Sequence, residues 1–203
     1  MIKRLIFILF FALFSIPYLY SQSSGSIYDP LGRQMPRTPS WAIKTNLLYD
    51  ATSSINLGVE AKLSRKLTLD FPVNYNPWTF SDNRKLKHLL VQPELRYWLC
   101  EPFYGHFLGL HAHYAYYNVG HLPFGGRLTD YRYEGWLAGA GGSYGYQWFL
   151  SNRWSIEATM GVGYAYLRYN KYECRACGDH LAKNHKHYFG VTKVGVSLIY
   201  IIK

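Results

Sequence analysis

The chain has 203 residues, room for one domain with a sizeable core. Charged residues make up 17% and aromatics 18%, with 20 Tyr and 18 Gly. A soluble domain carries about 25% charge, so this balance argues against one and for amphipathic strands in a membrane wall, with Tyr and Trp at headgroup level. The net charge of +10 is scattered over expected loops. No cluster of Lys and Arg with stacking rings is present, which excludes a nucleic-acid groove and leaves attraction to lipopolysaccharide headgroups as the consequence of the charge.

The N-terminus reads as a signal peptide, residues 1–21. Lys3 and Arg4 supply the positive start, Leu5 to Phe14 is the apolar stretch, and cleavage is expected near Ser21. The apolar stretch is too short to span a bilayer as a helix, and no Cys follows it to carry a lipid anchor. Residues 22–40 are rich in Ser, Pro and Gly and are expected to be a flexible periplasmic segment. Residues 41–203 are expected to be the barrel.

From Trp41 onward apolar residues recur with period 2, the pattern of strands with one apolar face. Eight strands are predicted: 41–49, 55–63, 67–76, 86–99, 106–118, 135–150, 154–169 and 188–202. The links at 64–66, 100–105 and 151–153 are short, and those at 77–85, 119–134 and 170–187 are long. Bacterial barrels have short periplasmic turns and long outer loops, so both chain ends are placed in the periplasm. Pro72 and Pro93 fall inside strands and lack a ladder donor, so bulges are expected there. The end of the last strand (Lys193, Gly195, Ile199, Ile201) resembles the signal read by barrel-insertion machinery, although the chain finishes on Lys203.

The two faces of the predicted strands differ. Trp41, Tyr49, Tyr75, Tyr97, Tyr116, Trp136, Trp148, Trp154, Tyr166 and Tyr200 lie near strand ends, while strand middles carry Leu, Val, Ala and Ile. That is the distribution of two aromatic girdles around an apolar band. With the apolar face toward lipid, the inner wall holds Lys44, Lys62, Arg96 and Lys193 against Glu60, Asp70, Glu94 and Glu157. Eight strands leave an interior that side chains just fill, so a lumen closed by an internal ion-pair network is expected rather than an open pore. The fold class is therefore an all-β, eight-stranded antiparallel transmembrane barrel in the outer membrane of a Gram-negative cell.

Several motifs carry a family resemblance. They are WLAGAGGSYGYQW from Trp136, RWSIEATMGVGYAY from Arg153 and KYECRACG from Lys171, with WAIKTNLLY from Trp41 and HYFGVTKVGVSLIY from His187. Together they resemble a domain-of-unknown-function family of small Bacteroidetes outer-membrane proteins, over residues 41–203. The resemblance implies an eight-stranded barrel related in shape to OmpA and OmpX, and an origin where some members accompany fimbria-like surface gene clusters. It brings no catalytic residues.

The last long link holds Cys174, Cys177 and His180, followed by His185 and His187. A disulfide between Cys174 and Cys177 is preferred in an exported loop. A zinc site drawn from these five residues and free thiols are the alternatives, and no other cofactor is expected. Cys100 sits at a short turn and is read as an unpaired, packed small group. His111 and His113 face inward and could join Ser143 or Ser155 and Glu157 in a triad, but residue type alone suggests it. The Gly139 to Gly145 run lacks the Lys-Ser/Thr and the helix of a phosphate loop and reads as closely packed strand. The expected function is non-catalytic, a structural or surface-interaction barrel that meets a surface or fimbrial partner; a narrow solute channel and a lipid-modifying enzyme are the alternatives.

Overall fold

A computed structural model describes residues 39–79, 85–120, 131–151, 153–173 and 180–202. Its strands are β1 (Trp41–Asn46), β2 (Ile55–Lys62), β3 (Leu67–Asn76), β4 (Lys85–Val91), β5 (Glu94–Trp98), β6 (Gly105–Gly120), β7 (Tyr131–Phe149), β8 (Trp154–Glu173) and β9 (His180–Ile202). A short helix, α1 (Leu47–Ala51), follows β1. All pairings are antiparallel, and β1 joins β9 from Trp41↔Ile202 to Asn46↔Ser197, which closes the sheet on itself. The expected signal peptide, and the segment after it up to residue 38, lie outside the described residues.

β4 and β5 form one stave, so nine strands make an eight-stranded closed barrel. Both pair with β3 and with β6, and the register passes unchanged across the gap: Val73↔Val91 is followed by Asp70↔Glu94, and Val91↔Tyr114 by Glu94↔His111. The gap is at Gln92 and Pro93, beside Pro72 on the neighbouring strand. Two residues without N–H groups remove ladder donors at one place. The remaining bonds hold: Gln92 N donates to Pro72 O at 3.2 Å and Ala112 N to Pro93 O at 3.0 Å. The bulges expected at the prolines are therefore absent. Register shifts occur instead between β8 and β9, at Gly161/Val162 and Lys171/Tyr172. At the first, Thr192 is the extra residue of β9, so Thr192 and Lys193 both reach inward, as a bulge permits.

The first strand ends earlier than its alternation suggests. The Asn46 side chain accepts from Leu48 N at 3.1 Å, an N-cap that starts α1 where residues 47–49 were expected to continue as strand. The last four strands run longer than expected. β6 to β9 take in both ends of the links 119–134 and 170–187, leaving 121–130 and 174–179 between strands. Beyond the apolar band the faces no longer sort by polarity, with Ala115, Leu137 and Leu167 in an inward row and Tyr116, Trp136 and Arg168 in the next outward one, so the apolar-outward pattern disappears although pairing continues. β9 pairs with β8 as far as Tyr172↔His180, well past its last pairing with β1.

Burial is inside out. Among the described residues eight buried side chains are apolar and eighteen are polar or charged, while Leu57, Leu69, Leu108, Leu110, Met160, Val162 and Val194 are exposed on the outer wall. On β8 the outward series runs Trp154, Ile156, Ala158, Met160, Val162, Tyr164, from one ring to the other. Ten steps of about 3.4 Å each, tilted by about 40°, give an apolar height of about 26 Å.

The wall is tightest where β7 meets β8. A Cβ on Gly139 would lie 2.0 Å from Tyr164 O and 2.6 Å from His113 Nε2, whereas one on outward-facing Gly142 would meet nothing nearer than 3.9 Å. Gly139→Ala should therefore lower unfolding stability by about 1–3 kcal/mol, the usual range for overpacking. Gly142→Ala should stay within about 0.5 kcal/mol of the parent. Urea unfolding of the refolded barrel followed by Trp fluorescence checks this, and equal losses would contradict the close approach.

Candidate functional site in the barrel lumen

The lumen is filled in layers, beginning at the end that carries the short turns. There Ala42, Phe103, Ile199 and Ile201 form a buried apolar cluster. Trp98 packs on Phe107 and Phe103 with ring centroids 4.9 and 6.2 Å away. Phe103 adopts φ 68°, a left-handed conformation that costs a non-glycine residue free energy, and its ring is fully buried. Its place in an expected connecting turn hid it from sequence reasoning. Ile199 and Ile201, the apolar pair of the terminal motif, face this plug, while Leu198 and Tyr200 occupy the alternate positions of the strand.

Above the plug lies the charge layer. Arg96 reaches from β5 with all three guanidinium nitrogens engaged. Nε donates to Glu94 at 2.6 Å, Nη1 to Glu60 at 3.0 Å and Glu157 at 2.7 Å, and Nη2 to Glu157 at 3.0 Å, with Asp70 also 3.0 Å from Nη2. Lys44 of β1 lies 2.5 Å from Glu60, 3.3 Å from Asp70 and 3.5 Å from Glu157. Lys193 of β9 donates to Glu94 at 2.8 Å and stands 3.9 Å from Asp70. Arg96 also stacks over Phe107 at 4.4 Å, which joins the charge layer to the plug. Lys62, on the same strand as Glu60, is half-buried.

Three cations thus face four carboxylates in this cluster. Hydroxyl donors spread the remaining negative charge: Thr68 donates to Glu60, Thr159 to Glu157 at 2.7 Å, and Ser143 to Glu94. Trp98 Nε1 donates in turn to Thr68 Oγ1 at 2.8 Å. Thr68 and Thr159 sit two residues from Asp70 and Glu157, on the same inward face, so the period that predicted the charges could also have found their donors. Thr192 could not be found this way, because the bulge breaks the period.

The third layer is polar. Thr192 Oγ1 lies 2.9 Å from His111 Nε2, and Gln92 Nε2 donates to Thr192 O at 3.1 Å. A small cavity of about 30 Å³ lies beside Lys44, Asp70, Gln92, Arg96 and Lys193, room for about two waters.

The arrangement is poorly suited to nucleophilic catalysis. His111 stands between Thr192 and Glu94, but its Nδ1 is 4.0 Å from the carboxylate, beyond hydrogen-bond reach. Glu94 is already engaged by Arg96, Lys193 and Ser143. Among the described residues neither His111 nor His113 bonds to Ser143, Ser155 or Glu157, so the suggested triad is not brought together. The loop site lies largely outside the description: Cys174 and Cys177 fall beyond the described residues, as does the side chain of His180. His185 and His187 are exposed on β9 with ring centroids 6.1 Å apart. Among the described residues no group of three or more His, Cys, Asp or Glu side chains is placed to hold a metal ion. Cys100 is a free and exposed thiol, not the packed small group expected; it lies in the connection that follows β5.

Removing one member of a buried ion-pair set strands its partners, at a cost of about 3–5 kcal/mol. Arg96→Met should lose stability of that order, whereas Arg65→Met, at an exposed turn position, should change it by less than about 0.5 kcal/mol. Denaturant titration in detergent checks the contrast; equal effects would mean that the cluster does not hold the barrel together.

Comparison with curated proteins and with solved structures gave no match. The family model described as Protein of unknown function (DUF3575) matches residues 10–202, nearly the whole chain, and the chain belongs to that family.

Proposed function

We propose that the protein is a non-catalytic outer-membrane barrel with a sealed lumen, acting through the surface it presents outside the cell. The observation that carries this reading is the inside-out burial: a charged interior, and an exposed apolar band about 26 Å high between rings, the height of a bacterial barrel's lipid-facing wall. A soluble barrel would place that band against water, at a large hydrophobic cost. The paired ends Trp41 and Ile202 and the short turns then lie in the periplasm, and β6 to β9 rise from the outer leaflet as a sheet. The proposal includes export by the segment 1–21, assembly by barrel-insertion machinery, a Bacteroidetes origin with an OmpA/OmpX-like shape, and contact of the raised sheet with a surface or fimbrial protein. The ion-paired layer and the apolar plug speak against the channel reading, and the missing His–carboxylate contact against a lipid-modifying one.

Reconstitution into planar bilayers tests it. The mature protein should insert and pass no steady current, and Cys100 should be labelled by an impermeant maleimide only from the face opposite the raised sheet. A steady single-channel current would contradict the sealed lumen, and a protein that stays in solution would contradict the membrane reading. For the 170–187 segment the proposal is a Cys174–Cys177 disulfide. Unreduced protein should show one free thiol and no zinc; stoichiometric zinc lost in Cys177→Ser would assign a metal site instead.

A further inference from the structure

The outer faces of β6 to β9 form a grid whose rows change character with height. Strand register aligns Leu110, Gly142, Val162 and Val191 in one row, then Ala112, Ala140, Tyr164 and Phe189. Tyr114, Ala138, Tyr166 and His187 follow, then Tyr116, Trp136, Arg168 and His185, and above them Asn118, Glu134 and Asn170. The face thus passes from aliphatic to aromatic to cationic and polar within a few residues, at the upper limit of the apolar band.

An open depression of about 310 Å³ lies in the upper rows, lined by Tyr116, Glu134, Gly135, Trp136, Arg168, Tyr169 and Asn170. Its groups are not equivalent. Trp136 stacks on Tyr114 at 6.3 Å and packs against Tyr166 at 5.8 Å, which fixes one ring in place. Glu134 accepts from Tyr116 Oη at 3.2 Å and from Asn118 Nδ2 at 3.1 Å and stands 3.8 Å from Arg132 Nη2, whose guanidinium lies over the Tyr172 ring; a carboxylate has about four lone-pair sites, so acceptor capacity remains. Arg168 is exposed, with exposed His185 directly across on β9.

We infer that this depression holds the headgroup of an outer-leaflet glycolipid that bears a phosphorylated sugar. The inference rests on the membrane reading above, which places the depression at the outer headgroup level. A guanidinium fork matches a phosphate bidentately. A fixed aromatic ring offers an apolar surface to a sugar face, and Glu134 with Asn170 can meet sugar hydroxyls. The charges also set the orientation. Glu134 repels a phosphate, so the phosphate lies on the Arg168–His185 side and the sugar on the Glu134–Asn170 side. Below the depression β7 presents Ala138, Ala140 and Gly142 outward, Ala138 between Tyr114 and Tyr166, Ala140 between Ala112 and Tyr164, and Gly142 between Leu110 and Val162, a row of small residues that leaves a shallow path for an acyl chain down the wall.

Native mass spectrometry of the folded barrel in maltoside micelles tests this with three probes: a bisphosphorylated diglucosamine lipid, phosphatidylglycerol and free glucosamine 1-phosphate. The diglucosamine lipid should bind most tightly, and Arg168→Gln should weaken it about tenfold, the loss expected for a charge-assisted bond. Arg168→Lys, which keeps the charge but not the fork, should fall between, and it remains informative if the Gln variant does not fold. Unchanged affinity in either folded variant would overturn the site. Phosphatidylglycerol bound as tightly as the diglucosamine lipid would overturn the sugar element, and glucosamine 1-phosphate bound as tightly would overturn the lipid source. A barrel that inserts into bilayers but binds none of the probes would sink this inference alone; a protein that does not insert would sink the membrane reading with it.

Discussion

The Arg96 guanidinium is the contact on which the rest of the interior depends. It touches carboxylates from β2, β3, β5 and β8, and Lys44 and Lys193 bring β1 and β9 to the same cluster. A closed sheet of eight staves must fill its interior, and most of these staves contribute a charge that alone would be costly to bury. The planar fork of Arg suits this position, since it meets several carboxylates with fixed geometry where Lys would offer a point charge. The same guanidinium lies on Phe107, so the charge layer and the apolar plug hold one another in place.

Inverted burial follows from this interior. With the charges paired inside, the apolar side chains lie on the outer wall instead of in a core. The small apolar cluster of Ala42, Phe103, Ile199 and Ile201 closes one end, and contributes less as a conventional core than as a stopper. That stopper lies at the end of the barrel that carries the short turns. Past the apolar band the outer faces of β6 to β9 carry aromatic and cationic side chains, among them Trp136, Arg168 and His185.

Much of this was legible in the sequence. Period 2 gave the staves, and the inward phase of that period gave Lys44, Glu60, Asp70, Glu94, Arg96, Glu157 and Lys193, all of which sit in one cluster. What stayed hidden had local physical causes. Asn46 caps a helix because its side chain finds Leu48 N, which alternation cannot register. Thr192 points inward because a bulge adds a residue to β9. The prolines make a gap and not a bulge, because Pro72 and Pro93 lie side by side and lose donors together. The long outer strands read as loops because their faces stop alternating between apolar and polar once they leave the band.

If mutual ion pairing holds the lumen shut, Arg96 and Glu157 are energetically coupled, and a double-mutant cycle between them measures that coupling. The cycle compares the parent with Arg96→Met, Glu157→Gln and the double variant by equilibrium unfolding in the same vesicles. Groups sharing one network couple by about 0.5–3 kcal/mol, and this bidentate pair should lie in the upper half of that range, so the double variant should be much less damaged than the sum of the two single losses. Additive losses would show that each side chain acts alone and would contradict the account.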